Sequence, residues 1–446
     1  MRPTHPDAEG LGISGDLSVS RIWPRGPGSV SLELLGPAGE LLAGQLIEDD
    51  GDRRRVMAAT SAGARAGADV LVAPALDGRG AEVGTVLVQA RGADRRLQAL
   101  PHLLTEPGSH LLVHRPERRA VGYLPGGPEV VAGAGAPDQA PGAGTYARVF
   151  RPGRTAAVVR SARLGVHVLG GLPGFAAPAV LEHREGDGVV VTSSLPGESL
   201  RALLGTEQGA AVLRAGAAGL GHLLRHLAGA PVPRDLPVRD AAAELAWVGV
   251  WIERVRHHLP RIHSRLPAGL ELIADHLDRR PATGAGIIHG DLHDGQVLIS
   301  RTPTGRTPTG RTPTGRTPTG PALDDDTASV GVLDWDTVAV GEGALDAANV
   351  WAHTDLRRLL GHWPADSATD FWTTVVEHWD PAPAELDRAT AYRRLLLLRL
   401  ACQYAFRPAH AHVTQDLLAL AMYGSADGRG GRTATDHYGH RGMGAL

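Results

Sequence analysis

The stretch IIHGDLHDGQVLIS (287–300) places polar residues, among them Asp291 and Gln296, between two apolar runs. A second acidic stretch, VLDWD, ends another apolar run at Asp334. Carboxylate and amide oxygens are ligands that Mg²⁺ prefers, and a carboxylate can also accept a proton from a hydroxyl group. If the fold brings these residues together, they could support phosphoryl transfer from a magnesium-bound nucleotide.

The two stretches are predicted to meet because a β-hairpin joins them. QVLIS (296–300) and ASVGVLDWD (328–336) are short apolar runs separated by a polar segment, which is typical of two paired strands. Such a hairpin would bring Asp291 and Gln296 at its start close to Asp334 at its end. The sequence thus predicts two carboxylates and an amide in one neighbourhood.

Between the two strands lie four copies of Arg-Thr-Pro-Thr-Gly, residues 301–320. This period is too short for a solenoid repeat, and the proline and glycine in every copy disfavour helix and sheet interiors. We interpret the repeat as an expansion in an exposed loop, and a basic docking segment is the alternative.

Deleting residues 301–320 is expected to leave both the free energy of unfolding and the activity nearly unchanged, because loop-closure entropy grows slowly with loop length. Urea denaturation and an activity assay of the deletion variant beside the full chain would check this. A variant that folds but has lost activity would contradict the interpretation of the repeat as an inert insertion.

Other chemistries fit the sequence less well. His289 and His293 have the i,i+4 spacing of zinc ligands on a helix, but Gly290 and the flanking strand-like residues disfavour a helix there. Cys402 lies in an apolar helical run, so we expect an inert core thiol rather than a nucleophile. The remaining alternative is that Asp291 and His293 are ordinary turn and capping residues of a hairpin.

Composition disfavours several classes of protein. The 45 basic and 48 acidic residues nearly balance, so bulk charge predicts neither nucleic acid nor a membrane surface as a partner. The single cysteine permits no internal disulfide, and we find no apolar signal sequence and no run of about 18 apolar residues. We therefore expect a soluble cytoplasmic protein, with its oligomeric state left open.

The first half of the chain is predicted to be rich in strands. Alternating apolar residues around turn residues predict hairpins at 29–47 and 110–124. TYARVFR (145–151) is predicted to be a strand that precedes a helix over 155–169, and a further strand is predicted at 188–194.

The second half is predicted to be helical. Apolar residues recur at helical spacing over 209–227, 240–259 and 388–406. Trp247 and Trp251 lie in the second of these stretches, where we expect them to anchor the core.

Several motifs point to one family. HGDLHDGQ (289–296) resembles the catalytic loop of the aminoglycoside phosphotransferase family and its kinase-like relatives, and its glutamine is most like the maltokinase-like branch. VLDWDTVAVGEGALDAAN (332–349) resembles the metal-binding segment of that family. TYARVFRPGR (145–154) is similar to its nucleotide-lobe strand, and VVVTSSLPGESL (189–200) to its hinge. The order of these segments matches the family.

The resemblance implies catalytic roles for three residues. Asp291 would orient the substrate hydroxyl or accept its proton. Gln296 and Asp334 would hold Mg²⁺ against the phosphates of ATP or GTP.

Four further residues would support the site. His289 would brace the catalytic loop, and His293 would lie beside it. Asp336 would bind the metal or the substrate, and Asp346 would steady the loop from its helix.

The sequence departs from the family pattern at the lysine that holds the donor phosphates. It contains no lysine, which also excludes a Gly-x-x-x-x-Gly-Lys phosphate loop. Arg148 occupies the matching strand position, and the helix predicted over 155–169 offers it no acidic partner. Glu182 is a weak candidate for that partner.

Arginines of the predicted hairpin turn could bind phosphate instead. Arg115, Arg118 and Arg119 lie where the family's phosphate-covering hairpin would lie, and arginine binds phosphate in a bidentate manner. An enzyme that holds phosphates with arginines is the preferred interpretation. The alternatives are a pseudokinase that binds ligand with little or no transfer, and a scaffold that acts through residues 1–107 or the repeat.

The resemblance implies an α+β class with a bilobal protein-kinase-like fold. We expect a β-rich N-terminal cap at 1–107, a kinase-like N-lobe at 108–195, a helical C-lobe with the catalytic loop at 196–423, and a disordered tail at 424–446. The acceptor would be a small hydroxyl compound such as a sugar or an aminoglycoside.

Overall fold

The computed structural model of the chain describes residues 17–26, 29–37, 39–47, 53–67, 70–76, 80–125, 144–203, 209–301 and 328–424. Residues 302–320 of the predicted insertion and residues 425–446 of the predicted tail lie outside the described residues. The chain divides into two compact units. The sheet unit comprises residues 1–200, 295–337 and 406–408, and the helical unit comprises residues 201–294, 338–405 and 409–446.

The strands are β1 (Ser18–Gly26), β2 (Ser29–Leu35), β3 (Leu41–Ile47), β4 (Val70–Leu76), β5 (Glu82–Gln89), β6 (His110–Arg115), β7 (Arg119–Leu124), β8 (Thr145–Phe150), β9 (Phe175–Ala176), β10 (Val180–Arg184), β11 (Val189–Ser193), β12 (Glu198–Ser199), β13 (Val238–Arg239), β14 (Ala285–Ile288), β15 (Val297–Arg301), β16 (Ala328–Val332) and β17 (Ala339–Glu342).

The helices are α1 (Arg53–Ala66), α2 (Leu100–Leu103), α3 (Ala156–Leu169), α4 (Leu200–Leu203), α5 (Gly209–Gly229), α6 (Ala241–His258), α7 (Pro260–His263), α8 (Leu266–Asp278), α9 (Gly343–Leu359), α10 (Ala365–Trp379), α11 (Pro383–Tyr404) and α12 (Thr414–Tyr423). Two 3-10 turns are described, Trp335–Thr337 and Pro408–Val413.

The N-terminal part of the sheet unit is an antiparallel sheet with the strand order β1-β2-β3-β5-β4. In β2 the side chains of Val30, Leu32 and Leu34 alternate onto the buried face. Helix α1 packs against β4 and β5. The hairpin predicted at 29–47 is confirmed, because β2 and β3 pair from Ser29 opposite Ile47 to Leu35 opposite Leu41.

A second antiparallel sheet has the order β10-β11-β8-β7-β6. Its core face carries Ala120, Ala147 and Val149, which are buried against residues of β11 and α2. Successive strand side chains point to opposite faces, so Arg148 lies on the other face of β8. The predicted strand, the helix that follows it and the hairpin at 110–124 are all confirmed.

The predicted hairpin around the insertion is also confirmed. Strands β15 and β16 pair antiparallel, from Val297 opposite Val332 to Arg301 opposite Ala328. They are the central strands of a four-stranded sheet in the order β12-β15-β16-β9. The apolar side chains of Val297 and Val332 are fully buried, which explains why these runs are apolar.

The helical unit is built around long helices and one small sheet. Helix α10 packs against α5, and α11 packs against α9 and α12. The sheet has the order β13-β17-β14, with β17 parallel to β13 and antiparallel to β14. The three helices predicted in this half are confirmed as α5, α6 and α11.

The two tryptophans of helix α6 that were predicted to anchor the core differ in burial. Trp251 is buried, but Trp247 is 44% exposed, so the prediction that Trp247 anchors the core is wrong. A helix buries only one face, and Trp247 lies four residues before Trp251 on the edge of that face, where Arg254 contacts its ring. Cys402 is buried as expected, and burial raises the pKa of its thiol to about 12.

The predicted α+β class is confirmed, with sheets concentrated in the first 200 residues and helices in the second half. No helix within the described ranges is both long and apolar enough to cross a membrane.

Candidate active site

The residues predicted to form one site are distributed over the two units. Asp291 belongs to the helical unit, whereas Gln296, Asp334 and Asp336 belong to the sheet unit. The division falls between Asp294 and Gly295, inside the catalytic-loop motif. Each part is described below within its own unit, and their union in one site stays a prediction.

The catalytic-loop part begins where β14 ends. Ile287 and Ile288 of β14 are fully buried, and His289 immediately after them is also inaccessible to water. Gly290 then has a φ of +83°, a backbone conformation that glycine adopts without the steric cost that a Cβ atom imposes. The chain therefore turns sharply before Asp291, and the segment is not helical. Zinc binding by His289 and His293 from one helix is thus excluded.

Asp346 holds this turn from the first helical turn of α9. Its carboxylate accepts hydrogen bonds from the backbone N–H of His289 (2.6 Å) and of Gly290 (2.8 Å). Burial raises the pKa of Asp346, although the His289 side chain and these two backbone donors oppose the shift. From the same helix, Asn349 donates to the carbonyl of Leu292 at 3.0 Å. Helix α9 therefore fixes the loop backbone on both sides of Asp291.

Asp291 itself presents a half-exposed carboxylate, 42% accessible to solvent. The guanidinium of buried Arg399 lies 3.7 Å from its Oδ1 atom. Arg399 also donates to the Oδ1 atom of Asn349 at 2.8 Å, so its direction is fixed by the residue that supports the loop. An oriented, solvent-accessible carboxylate is what a proton acceptor needs.

Arg239 supports the loop from β13. It donates to the carbonyl of Gly290 at 2.6 Å and to the carboxylate of buried Glu244. Sequence reasoning missed Arg239, Glu244 and Arg399. A signal for Arg399 was present, because a single arginine interrupts the apolar run LLLLRLAC.

His293 lies in a buried cluster that follows Asp291 in the chain. Its ring stacks on that of His353 with centroids 4.3 Å apart, and the Nδ1 atom of each ring is 3.7 Å from Oδ1 of Asp294. Arg357 donates to both oxygens of Asp294, at 2.7 and 3.2 Å. Burial acts to raise the pKa of Asp294, but the hydrogen bond with His293 and the charge of Arg357 bring the pKa well below its usual value.

His293, Asp294 and His353 form the one group of three or more His, Cys, Asp or Glu residues in the described part whose ligand atoms lie close enough together to bind a metal ion. Arg357 already neutralises the carboxylate, however, and a buried dication would lie beside that guanidinium. The charge balance favours a structural ion pair that closes the loop, so we assign no metal to His293, Asp294 and His353.

The metal-strand part lies at the end of the β15–β16 hairpin. The backbone N–H of Leu333 donates to the carbonyl of Gln296 at 2.8 Å, which places Gln296 next to the residue that precedes Asp334. Asp334 has a φ of +57°, which is uncommon for a residue other than glycine and is frequent at functional sites. The hairpin therefore brings Gln296 and Asp334 together, as predicted.

Trp335 fixes the position of this segment. It is almost fully buried and donates from its indole to the carbonyl of Val332 at 3.1 Å. Helix α3 approaches it so closely that a Cβ atom on Gly165 would lie 2.5 Å from the indole ring. The glycine in α3 thus permits the contact that holds Asp334 and Asp336 on either side of Trp335.

Arg148 pairs with both carboxylates. Its guanidinium lies 3.3 Å from Oδ1 of Asp334 and forms a closer hydrogen bond to Asp336. Burial acts to lower the pKa of Arg148, but the charges of Asp336 and Asp334 raise it above its usual value. Glu182 is not its partner, because its carboxylate pairs with Arg184 at 3.0 Å. The acidic partner that α3 lacks is thus replaced by the two carboxylates of the hairpin.

The same carboxylates have the features of a cation site. Burial raises the pKa of Asp336 against the effect of Arg148, and the nearby charge of Asp334 adds to the rise. The Oδ1 atom of Asp336 is buried and has no hydrogen-bond partner among the described residues. Carboxylate oxygens are ligands that suit Mg²⁺, and Gln296, whose side chain could add an amide oxygen, is joined through its backbone to the residue before Asp334. The residues present therefore fit that ion.

The predicted arginines of the β6–β7 hairpin lie in the sheet unit as well. Arg119 comes within 3.8 Å of Asp336, so it lies beside the carboxylate pair. Arg115 instead lies over the ring of Trp23, 5.2 Å from the centroid, and Arg118 is exposed at the turn. Only Arg119 of these three contacts the residues predicted to hold the metal.

Comparison with known proteins finds that part of the chain is similar to one family. Residues 140–307 match the model of the phosphotransferase enzyme family, APH. The family resemblance is confirmed. The matched segment includes β8, α3 and the catalytic-loop motif through Gln296, and it ends before Asp334. The maltokinase-like branch stays a prediction, and no curated protein matches the chain.

Solved structures of phosphotransferases and kinases resemble the chain at low identity. Aminoglycoside phosphotransferase APH(3'')-Id from Streptomyces rimosus is 19% identical, with 68% of this chain and 98% of that chain covered and a TM-score of 0.42. Macrolide 2'-phosphotransferase MphH from Brachybacterium faecium is 18% identical, with coverages of 73% and 97% and a TM-score of 0.39. A choline/ethanolamine kinase family protein from Mesorhizobium loti is 16% identical, with coverages of 64% and 80% and a TM-score of 0.37.

Proposed function

We propose that the chain is a phosphotransferase that moves the γ-phosphate of ATP or GTP to a hydroxyl group of a small molecule such as a sugar or an aminoglycoside. The observation that carries the proposal is the carboxylate pair Asp334 and Asp336 at the end of the β15–β16 hairpin. It lies beside Gln296 and includes a buried oxygen with no hydrogen-bond partner among the described residues. The family match and the supported carboxylate of Asp291 favour the same function.

The proposed roles follow from the environment of each residue. Asp291, aimed by Arg399, would accept the proton of the acceptor hydroxyl as its oxygen bonds to the γ-phosphorus. The bond from that phosphorus to the β-phosphate oxygen would break, and the nucleoside diphosphate would leave. Gln296 and Asp334 would hold Mg²⁺, with Asp336 beside them. The bound ion would neutralise charge on the donor phosphates.

Arginines take the place of the absent lysine in this proposal. Arg119 lies next to Asp336, and Arg148 lies between Asp336 and Asp334, so both guanidinium groups could reach phosphates held at a metal on these carboxylates. Arginine forms bidentate hydrogen bonds to phosphate, which suits this task.

The second candidate function is a pseudokinase that binds ligand with little or no transfer. The ion pairs of Arg148 favour it, because a guanidinium already occupies the carboxylates that would bind the metal. Magnesium would therefore have to displace Arg148 from these carboxylates or bind them together with Arg148.

Replacing Arg148 with alanine tests this competition. Without Mg²⁺ we expect Arg148→Ala to lower the free energy of unfolding by about 1–3 kcal/mol, since two partly buried carboxylates lose their cation. With Mg²⁺ we expect a larger gain in stability than the wild-type protein shows, because the competing guanidinium is gone. Urea denaturation at several magnesium concentrations measures both effects.

Arg148→Lys is the matched control, because it keeps the positive charge and should leave the magnesium response near that of the wild-type protein. If Arg148→Ala and the wild-type protein gain equal stability from Mg²⁺, the metal does not compete with Arg148. The metal site would then have to be sought away from Asp334 and Asp336.

Thermal denaturation with nucleotides and acceptors, followed by an assay for nucleoside diphosphate, distinguishes the two candidate functions. The enzyme is expected to be stabilised by magnesium nucleotide and to form diphosphate when a suitable sugar or aminoglycoside is added. Stabilisation without diphosphate formation across the acceptor panel would favour the pseudokinase. Neither stabilisation nor turnover with ATP or GTP would contradict both.

A further inference from the structure

A group of five arginines gathers where β1 of the N-terminal sheet faces the β6–β7 hairpin. We call Arg21, Arg25, Arg115, Arg118 and Arg119 the arginine cluster. All of them lie in the sheet unit.

Two members of the cluster oppose each other directly. Arg115 and Arg119 are the last cross-strand pair of β6 and β7 before the turn, so their side chains leave the same face of the sheet. Like charges in this arrangement destabilise a strand pair. The folded protein thus contains a repulsive contact next to the turn of this hairpin.

The N-terminal sheet adds the positive charges of Arg21 and Arg25 beside this hairpin. Trp23 of β1 is buried, and the guanidinium groups of Arg115 and Arg21 lie over its ring at 5.2 and 5.5 Å from the centroid. Arg25, two residues farther along β1, donates to the carbonyl of Pro116 in the turn and to the hydroxyl of Ser31. The tryptophan and these hydrogen bonds hold the arginines in fixed directions.

The one carboxylate of the hairpin turn pairs with other arginines. Glu117 forms ion pairs with Arg95 (2.7 Å), Arg55 (3.2 Å) and Arg96 (3.5 Å), and its side chain is buried among them. The described residues provide no ion pair for Arg115. The charge of Glu117 is therefore already shared by arginines outside the cluster.

The crowding of positive charge affects the pKa of Arg115, and the cluster also contains a hydrogen-bond donor on Arg119 that is unpaired among the described residues. Burial, followed by the charges of Arg119, Arg118, Arg25 and Arg21, lowers the pKa of Arg115 to about 9. Arginine stays protonated in proteins, so the repulsion remains as a cost to the folded state. The Nε atom of Arg119 is also buried, and none of the described residues accepts its hydrogen bond.

We propose that the arginine cluster is a phosphoanion-binding site formed jointly by the N-terminal sheet and the β6–β7 hairpin. Fixed guanidinium groups recognise phosphate oxygens through paired hydrogen bonds, and an anion would relieve the repulsion among them. The ligand is a phosphate or pyrophosphate group, either free or as the phosphate chain of a nucleotide. Only the nucleotide alternative rests on the proposed function, in which case residues of β1 help to bind the donor.

The test is titration of the full chain with sodium pyrophosphate and, separately, with ATP in the absence of an acceptor. Isothermal calorimetry at low ionic strength measures the affinity of the wild-type protein, Arg115→Met and Arg21→Met. Methionine keeps an apolar stem near Trp23 and removes the charge. Arg160→Met, at an exposed arginine of α3, is the control with the same change in charge.

We expect the wild-type protein and Arg160→Met to bind pyrophosphate equally, and Arg115→Met and Arg21→Met to bind it about tenfold or more weakly. If ATP affinity falls by the same factor, the cluster binds the phosphate chain of the nucleotide. If only pyrophosphate affinity falls, the ligand is a separate phosphoanion. Absence of pyrophosphate binding, or equal binding by all four proteins, would overturn the proposal.

Separate controls exclude misfolding and loss of turnover as causes of weaker pyrophosphate binding. Circular dichroism checks each variant, and Arg118→Met, which changes an exposed member of the cluster, serves as the second test if Arg115→Met does not fold. Arg118→Met is expected to weaken pyrophosphate binding, and unchanged binding would count against the site. Pyrophosphate binding requires neither acceptor nor transfer, so failure of the proposed enzymatic function leaves this result unaffected.

Discussion

Replacing Asp291 with asparagine is expected to lower kcat by roughly 10²–10⁴-fold, the usual contribution of a positioned proton acceptor. The amide has the shape of the carboxylate but does not take up the proton of the acceptor hydroxyl. Nucleotide affinity should stay nearly unchanged, because the donor phosphates are assigned to Gln296, Asp334 and the arginines. Steady-state kinetics with a calorimetric measurement of nucleotide binding separates the two quantities.

The control for Asp291→Asn is Asp278→Asn, which removes one exposed carboxylate from the same unit. It should retain the kcat of the wild-type protein. A kcat of Asp291→Asn within about threefold of the wild-type value, far from the loss expected of a general base, would exclude Asp291 from the proton transfer.

Replacing Asp346 with alanine is expected to reduce both stability and turnover. Two backbone N–H groups, those of His289 and Gly290, would lose their acceptor inside the protein. Because each of the two unsatisfied buried donors costs about 1–3 kcal/mol, we expect the free energy of unfolding to fall by about 2–6 kcal/mol. The turn before Asp291 would also lose its anchor, so kcat should fall even where the protein stays folded.

Asp355→Ala separates these two effects. Asp355 lies in the same helix, α9, and forms a buried ion pair with Arg393 at 2.6 Å. Its removal should also destabilise the protein, but the loop contacts of Asp346 would remain. Urea denaturation and kcat at a temperature where both variants are folded give the comparison. Equal losses of kcat in the two variants would mean that Asp346 acts through general stability alone.

Local pattern was enough to predict several elements around the candidate site. The β15–β16 hairpin was predicted from two short apolar runs that form buried strands. The two strands pair even though a long insertion lies between them in the sequence. Helix α3 and strand β8 follow from periodicity in the same way. The conformation of Gly290 is consistent with the predicted absence of a helix around His289 and His293.

The interactions that define the charge of the site depend on tertiary packing, which periodicity does not encode. Arg148 was expected to face phosphate, but two carboxylates about 190 residues away in the sequence pair with it. Arg239 and Glu244 come from β13 and α6, and no short motif connects them with the catalytic loop. Trp247 shows the same difficulty, since its position on the buried or the exposed face of α6 depends on neighbouring helices.

The most direct test of the proposed function follows a γ-labelled phosphate from ATP or GTP into a panel of sugars and aminoglycosides, with Mg²⁺ and the purified full chain. The proposal predicts label in at least one hydroxyl compound, and predicts that EDTA abolishes the transfer and that the Asp291→Asn substitution slows it by roughly 10²–10⁴-fold. A wild-type protein that binds magnesium nucleotide but labels no acceptor and releases no phosphate would contradict the enzymatic function.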